Sequence, residues 1–440
     1  MRLSETPVDR AIANAVIIIV FVFIAGLTFA QVPLESNSRL TSQFFDWLAN
    51  NSDSETNLPR SHTGDERFLN WTLTYDSAVA SLAWMADGQM DKARKIIDFY
   101  LDNENVWRLG GIIESVDVTS AVLGEDWSVR TGSNLWIGLA AFHLYKATQD
   151  KKYLDLAKKL ADFGILLQVN DPKSLNYGGI CLGPAGGQNV VGDQHLDYDV
   201  HRPSFTEIFA TEHNMDAYAL FNMLYIETQD PKYSEARSHV LHWLKTVAYN
   251  KQEHRFNRGY THGLDSAVAT DVQSWGISAL GVKTLDTLEP NLAEKIIAFI
   301  EQHCIAEIVY KQPDGKTVMV RGVDFVDHDA STHLGRKPLV SPEWTFQLIN
   351  AYRKMEQDCR QQKDSMCEQK YRTRREDLTK SILAMATPTE EGLAYPYASQ
   401  PNALIGHEYR TPAAGSLSAI GAVYAVLALQ GLDPLVAPEK

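Results

Sequence analysis

Apolar and polar positions along the chain fall into long stretches of helical period that alternate between two kinds. One kind is rich in small and apolar residues on every side and carries little charge. The other is amphipathic, with one apolar face and one charged face. YDSAVASLAWMADG (75–88) is followed by QMDKARKIIDFYL (89–101), in which Ile96, Ile97 and Tyr100 share a face opposite the charges. The same alternation returns at 134–147 and 153–167, at 212–228 and 233–249, at 272–285 and 292–303, and at 344–355 and 371–385. A last uncharged stretch, 413–429, has no amphipathic partner after it. The segment 36–50 places Leu40, Phe44, Trp47 and Leu48 at helical spacing and supplies the missing partner from the other end of the chain. A helix apolar all round is buried on all sides, and an amphipathic one covers it. Six such pairs predict a ring of inner helices inside a ring of outer ones.

Each inner stretch opens on a hydroxyl or acidic residue beside Gly, Pro or an aromatic. The starts are Thr74-Tyr75-Asp76, Thr131-Gly132-Ser133, Thr211-Glu212-His213, Thr270-Asp271-Val272, Ser341-Pro342-Glu343 and Thr411-Pro412-Ala413, roughly 57 to 80 residues apart. A closed ring would bring the amino ends of all six inner helices, with their acidic residues, around one cleft. The segments before them are long and rich in Gly, His, Asp and aromatics, notably 176–203, 254–262, 318–333 and 395–410. Long irregular segments in a compact body carry function more often than not. A few short strands fit residues 317–325.

The chain has 440 residues and a formal net charge of -14, to which residues 1–30 contribute nothing because Arg2 and Arg10 cancel Glu5 and Asp9. An acidic body repels nucleic acid and anionic headgroups, so no nucleic-acid partner is expected. Residues 11–30 (AIANAVIIIVFVFIAGLTFA) are uncharged and about 30 Å long as a helix, enough to cross a bilayer. Arg10 precedes this stretch, whereas Glu35 comes before the first basic residue beyond it, Arg39. The asymmetry predicts a membrane anchor (1–30) with the body (31–440) outside the cytosol. A cleaved signal peptide ending at Thr28-Phe29-Ala30, and hence a secreted body, is the rival reading. Contact with the membrane is expected through this segment only. Of four cysteines, Cys359 and Cys367 have the spacing of a small closed loop, while Cys181 and Cys304 read as buried singles. No phosphate-binding loop, nucleophile elbow, zinc spacing or redox motif is present in the sequence, and neither a cofactor nor a metal is expected. Two acidic clusters with histidine, 193–201 and 324–333, read as solvated loops.

The inner stretches TYDSAVASLAWM, RTGSNLWIGLAAF, TEHNMDAYALFNML, ATDVQSWGISAL and SPEWTFQLINAY, spread over nearly the whole body, resemble the inner helices of the six-hairpin glycosidase superfamily. The resemblance implies an all-α (α/α)6 barrel, or toroid, acting on polysaccharide or oligosaccharide chains. It covers polysaccharide lyases and sugar epimerases as well as hydrolases. Glycoside hydrolysis requires two carboxyl groups, one donating a proton and one acting as base or nucleophile. Glu212 leads the candidates because Glu212 and Asp216 share a helix face, where mutual repulsion raises one pKa and suits it to general-acid work. Its partner is sought among Asp76, Asp126, Asp271 and Glu408. An acidic residue in a first helical turn is also stabilised by the helix dipole alone, and Glu343 reads equally well that way. Tyr75, Trp127, Trp275 and Tyr395 offer faces for sugar rings, and His213, Asn214, Asp216, Glu343, His407 and Arg410 offer polar contacts. The expected activity is an extracytoplasmic glycoside hydrolase. A lyase or epimerase on the same toroid, or a non-catalytic glycan-binding component of an export complex, is the alternative.

Overall fold

The computed structural model describes residues 34–120, 122–124, 126–188, 203–406 and 409–438. The proposed anchor at 11–30, the acidic cluster at 193–201, and the site candidates His407 and Glu408 lie outside the described residues. Among the described residues no helix is long and apolar enough to cross a membrane.

Residues 41–440 form one compact unit, mostly helical. The helix α1 (Leu34–Asn50) comes first, then the pairs α2 (Thr74–Ala86) with α3 (Met90–Asp102), α4 (Thr131–Thr148) with α5 (Lys151–Leu166), and α6 (Thr211–Thr228) with α7 (Pro231–Trp243). The fourth inner helix is broken into α8 (Thr270–Trp275), a π-helical turn at Gly276–Leu280, and α9 (Val282–Leu288), and its partner is α10 (Leu292–His303). The helices α11 (Pro342–Gln361) and α12 (Ser365–Leu383) form the fifth pair, and α13 (Ala419–Gln430) is the sixth inner helix. Each inner helix packs on the next, α2 on α4, α4 on α6, α6 on α8, α8 on α11, α11 on α13, and α13 back on α2. The ring is therefore closed. Outside it, α1 joins the first and last pairs: Phe45 stacks on Trp84 of α2, and Phe44 stacks on Tyr395 in the segment leading to α13.

A repeated polar clamp sets where the inner helices begin. Thr74, Thr131 and Thr211, each the first helical residue, donate their hydroxyls to the carbonyls of Ile113, Cys181 and Asn257 at 2.6, 2.7 and 2.7 Å. Three residues further on, the Asn134 side chain accepts from Ile112 N–H and donates to Ile112 C=O, and Asn214 does the same with Ile180. Gln273 repeats this exchange with Phe256. Each clamp ties an inner helix to the connecting strand beside it and satisfies buried backbone groups that no ladder reaches. The helix amino ends are thereby held level on one face of the ring.

Three expectations are corrected. The body is not strictly all-α, because short antiparallel pairs decorate the face that carries the helix amino ends. The longest hairpin, Ile305–Lys311 with Thr317–Val323, includes most of the stretch read as strand. The last inner helix begins at Ala419 rather than 413: Gly415 adopts φ +83°, and Leu417–Ser418 pair instead with His62–Thr63. The predicted continuous helix at 272–285 is interrupted where Gly281, at φ +75°, follows the π turn. The pairing of Cys359 with Cys367 is confirmed as a disulfide, and Cys181 and Cys304 are buried free thiols.

Candidate active site

The acidic residues at the helix amino ends meet as the spacing predicts. Asp76, Glu343 and Asp271 are buried at the first turns of α2, α11 and α8. Glu212, in the first turn of α6, keeps 37% of its side chain accessible, far more than these three. Asp271 and Glu212 share a hydrogen bond, and the charges of Glu343 and Glu212 both act on Asp271. The charge of Asp76 acts on Glu343, and that of Glu114 acts on Asp76. Glu114 in turn feels Arg130, Asp126 and His213, and His213 Nε2 lies 3.4 Å from Glu212 Oε1. The acidic groups, joined through His213, thus form a closed circuit among the amino ends of the inner helices.

Burial dominates their titration. The Asp76 carboxyl is pushed up to about 7, by burial first and the Glu114 charge second, against a hydrogen bond from Ser61. Burial, with Asp76 and Glu212 nearby, pushes the Glu343 carboxyl up to about 8. Asp271 and Asp216 are raised well above the ordinary carboxylate range by burial and by the charge of Glu212. Glu114 is raised by burial, although Arg130 and a hydrogen bond from Ser133 oppose it. The helix dipole favours an ionised carboxylate by about 0.3–2 kcal/mol. The shift of Asp76, about 3 pH units, corresponds to roughly 4 kcal/mol the other way. Desolvation outweighs the dipole, and Glu343 in particular keeps its proton near neutrality beside an accessible glutamate.

Glu343 sits in its own network. Its Oε1 accepts from the Tyr75 hydroxyl at 2.9 Å and from Gln347 Nε2 at 3.3 Å, and Tyr75 is 2.9 Å from the Tyr424 hydroxyl. The Tyr75 ring packs edge-on against Trp136, which in turn packs on Trp275. The Trp136 indole lies beside Asp216. Tyr397, half-buried, lies within reach of the charges of Glu343, Asp76 and Asp271 and stacks on Phe325.

Other candidates are placed differently. Asp126 is buried and paired with Arg130 at 3.3 Å, and Arg130 reaches the Tyr409 hydroxyl at 3.1 Å. Asp126 joins the circuit through Glu114 rather than by meeting Glu212. Asn214 is occupied by backbone: its amide donates to Ile180 and Ala210 carbonyls and accepts from Ile180 N–H. Tyr395 is fully buried in the core against Phe44 and Phe346, so it offers no sugar-facing surface. The Trp127 indole donates to the Gly124 carbonyl and its ring faces the Arg108 guanidinium at 5.4 Å. Arg410 donates to the Asn402 carbonyl and is exposed. In the 324–333 cluster, Asp324 pairs with Arg336 at 2.6 Å and Asp327 caps a short helix at Ala330 N–H. Sequence reasoning missed Glu114. The signal was an acidic residue inside the apolar run Ile112-Ile113-Glu114-Ser115-Val116, where a carboxyl is buried only with a partner, here the Ser133 hydroxyl at 2.7 and 2.9 Å.

No protein-family model and no curated protein matches the chain significantly. Solved structures do. The cellobiose 2-epimerase of Bacillus thermoamylovorans superposes with a TM-score of 0.61 at 12% identity, over 89% of this chain and 97% of that one. A family 76 α-mannanase of Bacteroides thetaiotaomicron gives 0.57 at 12% identity, over 90% and 94%. An inactive α-1,6-mannanase variant of Salegentibacter, in complex with α-1,6-mannotetrose, gives 0.55 at 12% identity, over 90% and 97%. These likenesses show the fold alone: the chain is an (α/α)6 toroid.

Proposed function

We propose that the protein is a glycoside hydrolase acting on a polysaccharide, with Glu343 as proton donor and the Glu212–Asp271 pair opposite it as base or nucleophile. The observation that carries this reading is the contrast within one circuit of carboxyls. Glu212 is accessible, while Glu343 and Asp271 are buried, which pushes the Glu343 carboxyl up to about 8 and raises Asp271 well above the ordinary carboxylate range. Hydrolysis of a glycosidic bond asks for that contrast, one carboxylic acid and one carboxylate. Glu343 protonates the leaving oxygen and becomes a carboxylate. Asp271, protonated and hydrogen-bonded to Glu212, holds that carboxylate towards water or the sugar carbon. Two charges placed directly together would repel, and the shared hydrogen bond removes that repulsion. The half-buried Tyr75 ring, packed edge-on against the buried Trp136, is the aromatic surface beside the acids that suits the apolar face of a pyranose, and Trp275, buried behind Trp136, offers none.

The likeness to mannanases and their oligosaccharide complex supports a carbohydrate substrate. The likeness to an epimerase keeps a second reading open, and one contact favours it: His213 beside Glu212 at 3.4 Å is a pair able to move a proton. The disulfide between Cys359 and Cys367 supports placing the body outside the cytosol, tethered or released according to the fate of residues 1–30. The test is a polysaccharide panel, α-1,6-mannan included, scored for new reducing ends with the wild type and with Glu212→Gln, Asp271→Asn and Glu343→Gln. Loss of about 100-fold or more in each variant, with melting temperature maintained, is expected. Wild-type turnover by Glu343→Gln or Glu212→Gln overturns the assignment.

A further inference from the structure

Three inner helices meet at Glu343 through a set of hydrogen bonds that runs one way. The Tyr75 hydroxyl of α2 donates to Glu343 Oε1 at 2.9 Å. A hydroxyl has one proton, so across the 2.9 Å contact between the two tyrosines Tyr424 of α13 is the donor and Tyr75 the acceptor. Gln347, one turn beyond Glu343 on α11, donates Nε2 to the same Oε1 at 3.3 Å and also bonds to Tyr424. Two donors therefore converge on one carboxyl oxygen. Neither Tyr424 nor Gln347 is accessible to a substrate, being 1% and 2% exposed.

We infer that Tyr75, backed by Tyr424 and Gln347, is a positioning residue that assigns the Glu343 proton to a single oxygen, Oε2, and sets how readily it leaves. The inference rests on the reading of Glu343 as the proton donor. An oxygen accepting two hydrogen bonds is the carbonyl oxygen of the neutral acid, and the proton resides on the other. When that proton transfers, charge develops over the carboxylate, and the two donors already in place stabilise it. Donation to the charged form lowers the carboxyl pKa, opposing burial. The groups that face Glu343 with charge are Asp76 on α2, Glu212 on α6, Asp271 on α8 and the half-buried phenol Tyr397. All of these are acidic and hinder ionisation. Against them, the two donors on Oε1 ease it, Tyr75 at 2.9 Å more closely than Gln347 at 3.3 Å. Tyr424, itself bonded from Gln347, polarises the Tyr75 hydroxyl and so acts through it.

The experiment is a pH titration of the full chain carrying carboxyl-labelled glutamate, followed by carbon NMR, with Glu343→Gln used to identify the signal. Tyr75→Phe is expected to move the Glu343 midpoint up by about 1 pH unit or more. Tyr424→Phe, which leaves the Tyr75 contact intact, is expected to move it the same way by roughly half as much. A purely structural tyrosine would leave the midpoint where it is in the wild type. An unmoved midpoint in Tyr75→Phe, or a downward shift, overturns the inference while leaving the proton-donor role standing. Full turnover of polysaccharide by Glu343→Gln removes the proton-donor role instead. The two failures are thereby told apart. In the hydrolysis assay, Tyr75→Phe is expected to lower kcat with little change in KM and to extend the alkaline limb of the profile by the same interval read by NMR.

Discussion

Replacing Asp76 by asparagine is expected to stabilise the protein at pH 8 and to do nothing of the kind at pH 4. The Asp76 carboxyl is raised from 3.8 to about 7 by burial, with the Glu114 charge adding to it. A carboxyl raised in the folded state binds its proton more tightly there than in the unfolded chain. Below the unfolded value both states are protonated and no penalty exists. Between 3.8 and about 7 the unfolded chain sheds the proton and the folded one keeps it, so stability falls as pH rises. Above about 7 the loss is complete. At about 1.4 kcal/mol per pH unit, a shift of about 3 units amounts to roughly 4 kcal/mol, and water admitted to the cleft reduces it towards 2. Asparagine has the same shape, carries no charge, and retains an oxygen for the Ser61 hydroxyl. Glu343, raised to about 8, contributes with the same sign, so the wild type should lose stability steadily from pH 4 to pH 8. Urea unfolding or thermal melting at half-unit pH steps measures both. A gain of about 2–4 kcal/mol at pH 8 that disappears by pH 4 is the expected result. An Asp76→Asn protein destabilised equally at both ends of the range would refute the reasoning, because it would mean that Asp76 is held as a carboxylate.

Other consequences are more local. A methyl group added at Gly132 would lie 2.4 Å from the His213 ring; Gly132→Ala should therefore push His213 off Glu212, costing about 1–3 kcal/mol and most of the hydrolytic rate, read by melting and turnover together. Arg336→Met leaves the fully buried Asp324 carboxylate without its 2.6 Å partner, and a loss of about 3–5 kcal/mol in urea unfolding is expected. Cys359→Ser opens a link across eight positions of chain; loop-closure entropy predicts a loss of roughly 2–3 kcal/mol with turnover unchanged, since the pair ties the last turn of α11 to the first turn of α12, at the ends away from the carboxyls.

The helix amino ends were legible because their start is written locally. Thr74, Thr131, Thr211, Thr270 and Ser341 each stand at the predicted place, since a hydroxyl opening an apolar helical run is a local sequence pattern, even though the carbonyls that Thr74, Thr131 and Thr211 clamp lie 39 to 50 positions away. The sixth start failed for a non-local reason. Residues 413–418 are apolar enough for a helix, but 417–418 are taken as a strand by His62–Thr63, more than 350 positions earlier in the chain. The site shows the same division. Glu212 and Asp216 were paired correctly from their spacing, yet which of them is buried depends on α4 and α8, and of the two it is Asp216 that is buried and raised. Glu114 escaped because its partner Ser133 lies across a loop, and Tyr395 misled because an aromatic before a helix looks alike whether it faces a cleft or a core.

The account stands or falls on what this cleft does to a glycosidic bond, and isotopic water reads that directly. Polysaccharide products formed in water enriched in oxygen-18, and separately in deuterium oxide, are weighed by mass spectrometry. Hydrolysis predicts one heavy oxygen at each new reducing end and no deuterium on carbon. Deuterium fixed on a sugar carbon without chain cleavage, or an unsaturated product lacking the heavy oxygen, would contradict the assignment and give the toroid to epimerisation or elimination.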